Sequence, residues 1–182
     1  GVVRAMIQHK LLINNDPKLL YYIGPMFRYE RMQAGRYRQF WQIGAESFGV
    51  ATPESEAESL VLLYDFLQEL GLRQLVFTIN SVGTPESRPA FHAAFRAFFD
   101  ARAERFCEDC HRRIQSNPLR VLDCKSPGCQ AALEGHPLIT DHLDEGSRSH
   151  HARLKEVLTG LGVPFQENPR LVRGLDYYTR TA

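Results

Sequence analysis

The sequence predicts an α+β fold: an antiparallel sheet flanked by helices, with a mostly helical unit inserted into it. Three observations carry this expectation. Two strand-like runs, residues 19–29 and 38–48, lie on either side of a loop that contains Gly35. From Thr84 to about Asn168 the chain changes to helical spacing, with phenylalanines, all four cysteines and polar, His-bearing loops. Residues 170–182 then return to strand character, with Tyr177 and Tyr178 prominent. The expected organisation is a partial sheet-bearing core at 1–83, a helical insertion at 84–168 and a return to the core at 169–182.

Each element has a local cause. Residues 2–12 place apolar side chains at helical spacing. Residues 19–29 are rich in Tyr, Ile and Phe, and pair as a hairpin with 38–48 across a loop longer than the tight two-residue type. In Thr52-Pro53-Glu54-Ser55, Thr caps, Pro takes the first helical position and Glu meets the positive end of the dipole. Leu60, Leu63, Leu67 and Leu70 follow on one face, and Gly71 closes the helix. Residues 75–82 read as a short buried strand. Thr84-Pro85-Glu86-Ser87 repeats the helix-start chemistry, but the helix after it differs, so this is shared capping and not a duplication. Phe91, Phe95, Phe98 and Phe99 line that helix; Leu154, Val157, Leu158 and Leu161 line a later one that ends near Gly162.

Composition excludes several classes of protein. Among 182 residues, 22 Lys+Arg balance 21 Asp+Glu, which argues against nucleic-acid adhesion over the whole surface. Eleven Phe and seven Tyr give too much apolar surface for a disordered chain. No apolar run approaches the ~18 residues of a membrane helix, and no signal-peptide pattern is present, so no membrane partner and a cytoplasmic location are expected. Gly1 falls inside a helical pattern and Ala182 inside a strand-like one, so the chain reads as a fragment.

The hairpin carries the strongest functional signal. Strand side chains alternate faces, which places Phe40, Gln42, Gly44 and Glu46 on one side and Trp41, Ile43 and Ala45 on the other. Arg28 and Glu30 group against Phe27 and Tyr29. One face is apolar and suited to burial. The other combines Arg, Glu, Gln, an aromatic ring and a glycine, like a lined pocket in which Gly44 leaves room for a ligand. Arg28, Arg31, Arg36 and Arg38 are opposed only by Glu30, and guanidinium groups suit a bidentate grip on phosphate. The plainer reading is an edge hairpin with a solvated basic face. Gln42 and Glu46, specific acceptors beside the basic cluster, weigh against it.

The cysteines form a second signal: Cys107-x2-Cys110, thirteen residues, then Cys124-x4-Cys129. Reduced, clustered thiols fit a structural zinc, and four ordinary thiols in a small helical unit fit as well. His111, His142, His150 and His151 have no paired spacing to a cysteine knuckle and are read as surface residues.

Residues 24–49, from Gly24-Pro25-Met26-Phe27-Arg28-Tyr29-Glu30-Arg31 through Gly35-Arg36-Tyr37-Arg38-Gln39-Phe40-Trp41-Gln42-Ile43-Gly44-Ala45-Glu46, resemble motif 2 of class II aminoacyl-tRNA synthetases in its histidyl form. Leu171-Val172-Arg173-Gly174-Leu175-Asp176-Tyr177-Tyr178-Thr179 resembles the histidine-specific signature of the same family. The resemblance implies a class II synthetase-type sheet and a ligase that joins histidine to ATP as histidyl-adenylate, then transfers it to tRNA(His). Mg2+ would accompany ATP, and the full-length enzyme would be a homodimer. By the family pattern Arg28 holds the α-phosphate, Glu30 belongs to the ATP site, Arg36 reaches the terminal phosphate and Phe40 stacks on adenine. Gln42 contacts the amino-acid backbone of histidine. Glu46, Tyr177 and Tyr178 belong to the histidine site, with Glu46 and Tyr178 at the imidazole. Arg173 is the second catalytic arginine, at the α-phosphate, and also belongs to the histidine site.

The chain departs from the family pattern with Met32 where proline is usual and Trp41 where histidine is usual. The first and third motifs and the anticodon-binding domain lie outside this sequence, so the chain alone is expected to be inactive. Two rival classes stand beside this reading. One is the synthetase-like, histidine-binding regulatory subunit of ATP phosphoribosyltransferase; the insertion, Arg28 with Arg36, and Glu46 favour the ligase. The other is a zinc-stabilised nucleic-acid-binding module at 84–168. There Arg112, Arg113 and Arg120 are interleaved with Glu104, Glu108, Asp109 and Asp123, so the basic stripe it requires is missing.

Overall fold

The computed structural model describes residues 1–12, 16–29, 31–173 and 177–182. The chain divides into two compact units, Gly1–Leu63 and Tyr64–Ala182.

The first unit begins with helix α1 (Val2–Gln8), shorter than the apolar spacing predicts; its Met6 is buried. Strands β1 (Lys18–Phe27) and β2 (Gln39–Phe48) pair antiparallel along their whole length. Leu20 faces Glu46, Tyr22 faces Gly44, Gly24 faces Gln42 and Met26 faces Phe40. The Arg28 N–H extends the ladder by donating to the Arg38 carbonyl at 2.8 Å. Between the strands, Gln33 and Arg36 exchange backbone hydrogen bonds around Gly35, whose φ of +73° is the left-handed position that a type II turn gives to glycine. Helix α2 (Pro53–Glu69) starts at the expected Thr-Pro-Glu signal, and Ser55 N–H donates to Thr52 Oγ1 at 3.3 Å. Gly71, with φ +83°, ends it.

The face sorting holds, but the expected burial of the apolar face does not. Trp41 is 72% exposed and Ile43 57%, beside exposed Leu19, Tyr21, Ile23 and Phe27. The reason is coverage. At one end of this face Leu19, Tyr21, Ala45 and Ser47 line a concavity with Glu58, Ser59 and Leu62 of α2, and the hydroxyls of Ser47 and Ser55 lie 3.2 Å apart. No described residue of the first unit covers Trp41 or Ile43.

In the second unit the single strand expected at 75–82 is two, β3 (Phe77–Ile79) and β4 (Ser81–Gly83). Asn80 lies between them. Helix α3 (Arg88–Asp100) carries Phe91, Phe95 and Phe99 on its buried face. Helices α4 (Glu108–Ser116), α5 (Leu119–Leu122) and α6 (Pro127–Ala132) follow, and α7 (Glu145–Gly160) begins at Asp144, whose carboxylate accepts from Ser147 N–H at 2.7 Å. Strand β5 (Phe165–Glu167) pairs in parallel with β3, and β6 (Arg180–Thr181) pairs antiparallel with β4. The core joins Phe91, Phe95, Phe99 and Phe106 to Ile114, Leu119, Leu122, Leu133 and three of the cysteines. Phe99 and Phe106 stack at 4.4 Å, and burying each such ring stabilises the unit by roughly 1.5–3 kcal/mol.

Two expectations are corrected here. Among the described residues, only Arg180 and Thr181 of 170–182 are in a strand; the carbonyls of Leu171 and Tyr178 accept from buried side chains instead. His150 and His151 are buried, because they share the inward face of α7 with Ser147, Leu154 and Leu158 at helical spacing.

Candidate active site

On the first unit the polar hairpin face is built from alternate residues of both strands. Arg28 lies over the ring of Phe40, its guanidinium carbon 3.7 Å from the centroid, a cation–π contact. Two positions along β2, Gln42 donates from Nε2 to the Tyr22 hydroxyl at 2.6 Å. Glu46 lines a concavity of roughly 380 Å³ with Tyr22, Met26 and the α1 residues Val2, Val3 and Ala5. Arg36 is carried on the turn and Arg38 at the base of β2, where its guanidinium carbon stands 5.5 Å from the Tyr29 ring centroid. Glu30 lies outside the described residues.

Sequence reasoning misread one detail of this face. The space above Gly44 is taken by Tyr22: a Cβ at Gly44 would fall 2.3 Å from Tyr22 Cζ and 2.4 Å from its hydroxyl oxygen. The glycine therefore admits a cross-strand tyrosine that holds Gln42, and Tyr22 joins the site. The pairing of Tyr22 with Gly44 was readable from the hairpin register, since an aromatic directly opposite a glycine lies across it.

On the second unit Arg173, Tyr177 and Tyr178 form a cluster. Arg173 donates from Nη2 to the Tyr178 hydroxyl at 3.5 Å, with its guanidinium carbon 4.8 Å from the Tyr178 ring centroid. The Tyr177 and Tyr178 rings stack at 4.5 Å, and their hydroxyls are 3.4 Å apart. That hydroxyl contact pushes the Tyr177 phenol above its ordinary pKa. Gly174, Leu175 and Asp176 of the signature lie outside the described residues.

Two buried side chains fix this segment, and sequence reasoning missed both. Asn80, 2% exposed, donates from Nδ2 to the Leu171 carbonyl at 3.0 Å and to that of Pro169 at 3.4 Å. Arg88, 6% exposed, donates to the carbonyls of Val82 at 3.0 Å and Gly83 at 3.4 Å, and to the Tyr178 carbonyl. An arginine at the start of an apolar helix was the available signal, because a guanidinium drawn into the core there must find acceptors.

The four cysteines converge. Every Sγ lies within 4.8 Å of every other. Cys107 and Cys124 are 3.8 Å apart, Cys110 and Cys129 3.9 Å, and the Cys107 N–H donates to Cys129 Sγ at 3.2 Å. The Cys110 N–H, helped by the neighbouring thiols, holds Cys107 down to about 7, while burial pushes Cys110 and Cys129 up.

The first unit thus presents an antiparallel hairpin with Arg, Phe, Gln and Glu along one face, and the second an Arg–Tyr–Tyr cluster. The histidyl-tRNA synthetase family model matches residues 2–181, so the chain belongs to that family. It is 51% identical over 181 residues to the histidine–tRNA ligase of Geobacter metallireducens, covering 100% of this chain and 44% of that protein. It is equally similar to that of Aquifex aeolicus, covering 45% of its length. The apo crystal structure of S. aureus histidyl-tRNA synthetase superposes with a TM-score of 0.75 at 41% identity, over 99% of this chain and 42% of that one. The chain thus spans less than half the length of the relatives it matches.

Proposed function

We propose that the protein containing this chain is a histidine–tRNA ligase: it activates histidine with ATP to histidyl-adenylate and transfers the histidyl group to tRNA(His). The observation that carries this reading is the order of side chains on one hairpin face. From the turn inward it runs Arg28 and Phe40, then Gln42, then Glu46. The six steps from Phe40 to Glu46 span roughly 20 Å of strand, which matches an extended aminoacyl-adenylate. The phosphate-and-adenine end lies at Arg28 and Phe40, and the amino-acid end at Gln42 and Glu46.

The chemistry asks the protein mainly for alignment and charge stabilisation. A histidine carboxylate oxygen attacks the α-phosphorus, the bond to the bridging oxygen breaks, and pyrophosphate leaves. Arg28 and Arg173 stabilise the charge on the α-phosphate, Arg36 holds the terminal phosphate, and Glu30 belongs with the ATP-binding residues. When nucleotide enters, Arg28 leaves the Phe40 ring for the phosphate and frees a ring face for adenine. Gln42, steadied by Tyr22, meets the backbone of histidine. Glu46 accepts from the imidazole N–H, with Tyr177 and Tyr178 completing the reader. A buried acceptor left unpaired by an apolar competitor rejects it. Mg2+ bound with ATP would screen its phosphates.

The same reading divides the chain by role into catalytic core at 1–83, insertion at 84–168 and returning core at 169–182, within a cytoplasmic homodimer. No helix among the described residues is long and apolar enough to cross a membrane. Substituting Glu46→Ala in the full-length protein tests the map. The Michaelis constant for histidine should rise by about tenfold or more, the worth of one hydrogen bond to a charged group, while that for ATP stays within a factor of about two. A loss of ATP affinity with histidine affinity intact would reverse the assignment.

A further inference from the structure

We propose that Cys107, Cys110, Cys124 and Cys129 bind one zinc ion as a closed tetrathiolate site, which ties together three segments of the helical unit. The inference goes beyond the adenylation reading and does not depend on it.

The geometry is that of a four-sulfur cage. Four ligands at ~2.3 Å from a central zinc stand ~3.8 Å from one another along each tetrahedral edge. The two closest sulfur pairs here are 3.8 Å and 3.9 Å apart, and all four sulfurs lie within 4.8 Å of one another. Two disulfides would need sulfurs in bonds of ~2.05 Å, and all four thiols are free. A multi-iron cluster would hold the sulfurs farther apart.

The chain brings the ligands together by four local devices. Cys107 precedes α4 with extended backbone, and its carbonyl accepts from Cys110 N–H at 2.9 Å, which turns the second thiol of the pair back beside the first. Asn117 ends α4 with extended backbone, and α5 then delivers Cys124, whose N–H donates to the Val121 carbonyl. Ser126 and Pro127 open α6, which carries Cys129 inward. Cys107 N–H finally donates to Cys129 Sγ at 3.2 Å, the kind of bond that favours a thiolate sulfur.

The donor set selects the ion and its role. Soft sulfur in a tetrahedron suits zinc or a single iron, and Zn2+ outranks Fe2+ in divalent affinity. His111, the nearest histidine in sequence, is turned away: its Nε2 contacts the Ala103 carbonyl at 3.1 Å. Four protein ligands leave no open position for water, so the site is structural. Cys110, Cys124 and Cys129 are buried in the same core as Phe99 and Phe106, so the ion completes that core. Zn2+ displaces the protons of the thiols it binds, up to four, and leaves a site of net charge −2.

The test is metal analysis of the untagged, full-length protein, purified without chelator and without added zinc. The expected result is about one zinc per chain and negligible iron. Zinc should be absent from the Cys110→Ser/Cys129→Ser variant. Because that variant can fail to fold, the wild-type protein supplies a second measurement. A strong chelator should release the zinc, expose four thiols to a thiol reagent and reduce helical circular dichroism, and added zinc should reverse all three. Cobalt(II) in place of zinc should give thiolate charge-transfer bands and tetrahedral d–d bands. Folded protein that holds no metal, or whose four thiols react equally with and without chelator, would overturn the proposal. So would iron in place of zinc, or disulfides found by mass spectrometry.

Discussion

At the scale of single residues, Gly44 and Tyr22 show how the hairpin positions the Gln42 side chain. Gly44 has no side chain because the Tyr22 ring occupies that space, and Tyr22 in turn receives the Gln42 amide at 2.6 Å. Gly44→Ala must push the ring aside and break that hydrogen bond. One neutral hydrogen bond is worth about 1 kcal/mol, so the Michaelis constant for histidine should rise roughly fivefold in full-length protein. Tyr22→Phe keeps the ring and removes only the hydroxyl, and should give a similar rise with unchanged thermal stability. Steady-state kinetics of both variants check this. An unchanged constant in Tyr22→Phe would mean that Gln42 does not depend on Tyr22. Period-two alternation made the membership of each face legible, including Phe40, Gln42 and Glu46 on one side. It did not distinguish room for a ligand from room for a neighbour, because that depends on cross-strand register.

At the scale of elements, the contact between α7 and β5 makes a pH-dependent tie. Glu167 on β5 receives Lys155 Nζ at 2.9 Å and contacts His151 Nε2 at 3.1 Å. The Lys155 hydrogen bond first, and then that of His151, hold the Glu167 carboxyl below its ordinary value of 4.5. A group whose pKa is lower folded than unfolded stabilises the fold above its unfolded value. That contribution is lost as pH falls through the folded value. Acid unfolding monitored below about pH 4.5 should therefore be shallower in Glu167→Gln than in wild type, with a modest loss of stability at neutral pH. Identical acid limbs would show that the contact carries no stability. Legibility at this scale was uneven for physical reasons. The Thr52-Pro53 start, the Gly71 stop and the phenylalanine face of α3 were readable because local chemistry sets them. Residues 170–182 carry strand-like aromatics, yet Asn80 and Arg88 hold this segment through its carbonyls, a long-range cause invisible to local pattern. Alternation likewise says which face Trp41 occupies and nothing about what covers it.

At the scale of the whole molecule, the central claim is that this face performs adenylation and does not merely bind histidine. Two cations, Arg28 on the hairpin and Arg173 in the tyrosine cluster, are assigned to charge that develops only as the carboxylate meets the α-phosphorus. Removing a donor of that kind typically costs ~10²–10³ in rate with little loss of ground-state binding. The same claim separates a ligase from a histidine-binding relative, which has no use for paired phosphate-directed arginines. Histidine-dependent exchange of labelled pyrophosphate into ATP by the full-length protein reads that step alone, without tRNA. The account predicts exchange with histidine and not with other amino acids, and a ~10²–10³-fold loss of rate in Arg28→Ala and in Arg173→Ala while histidine affinity by calorimetry is retained. Tight histidine binding without exchange, or exchange that survives both substitutions, would contradict it.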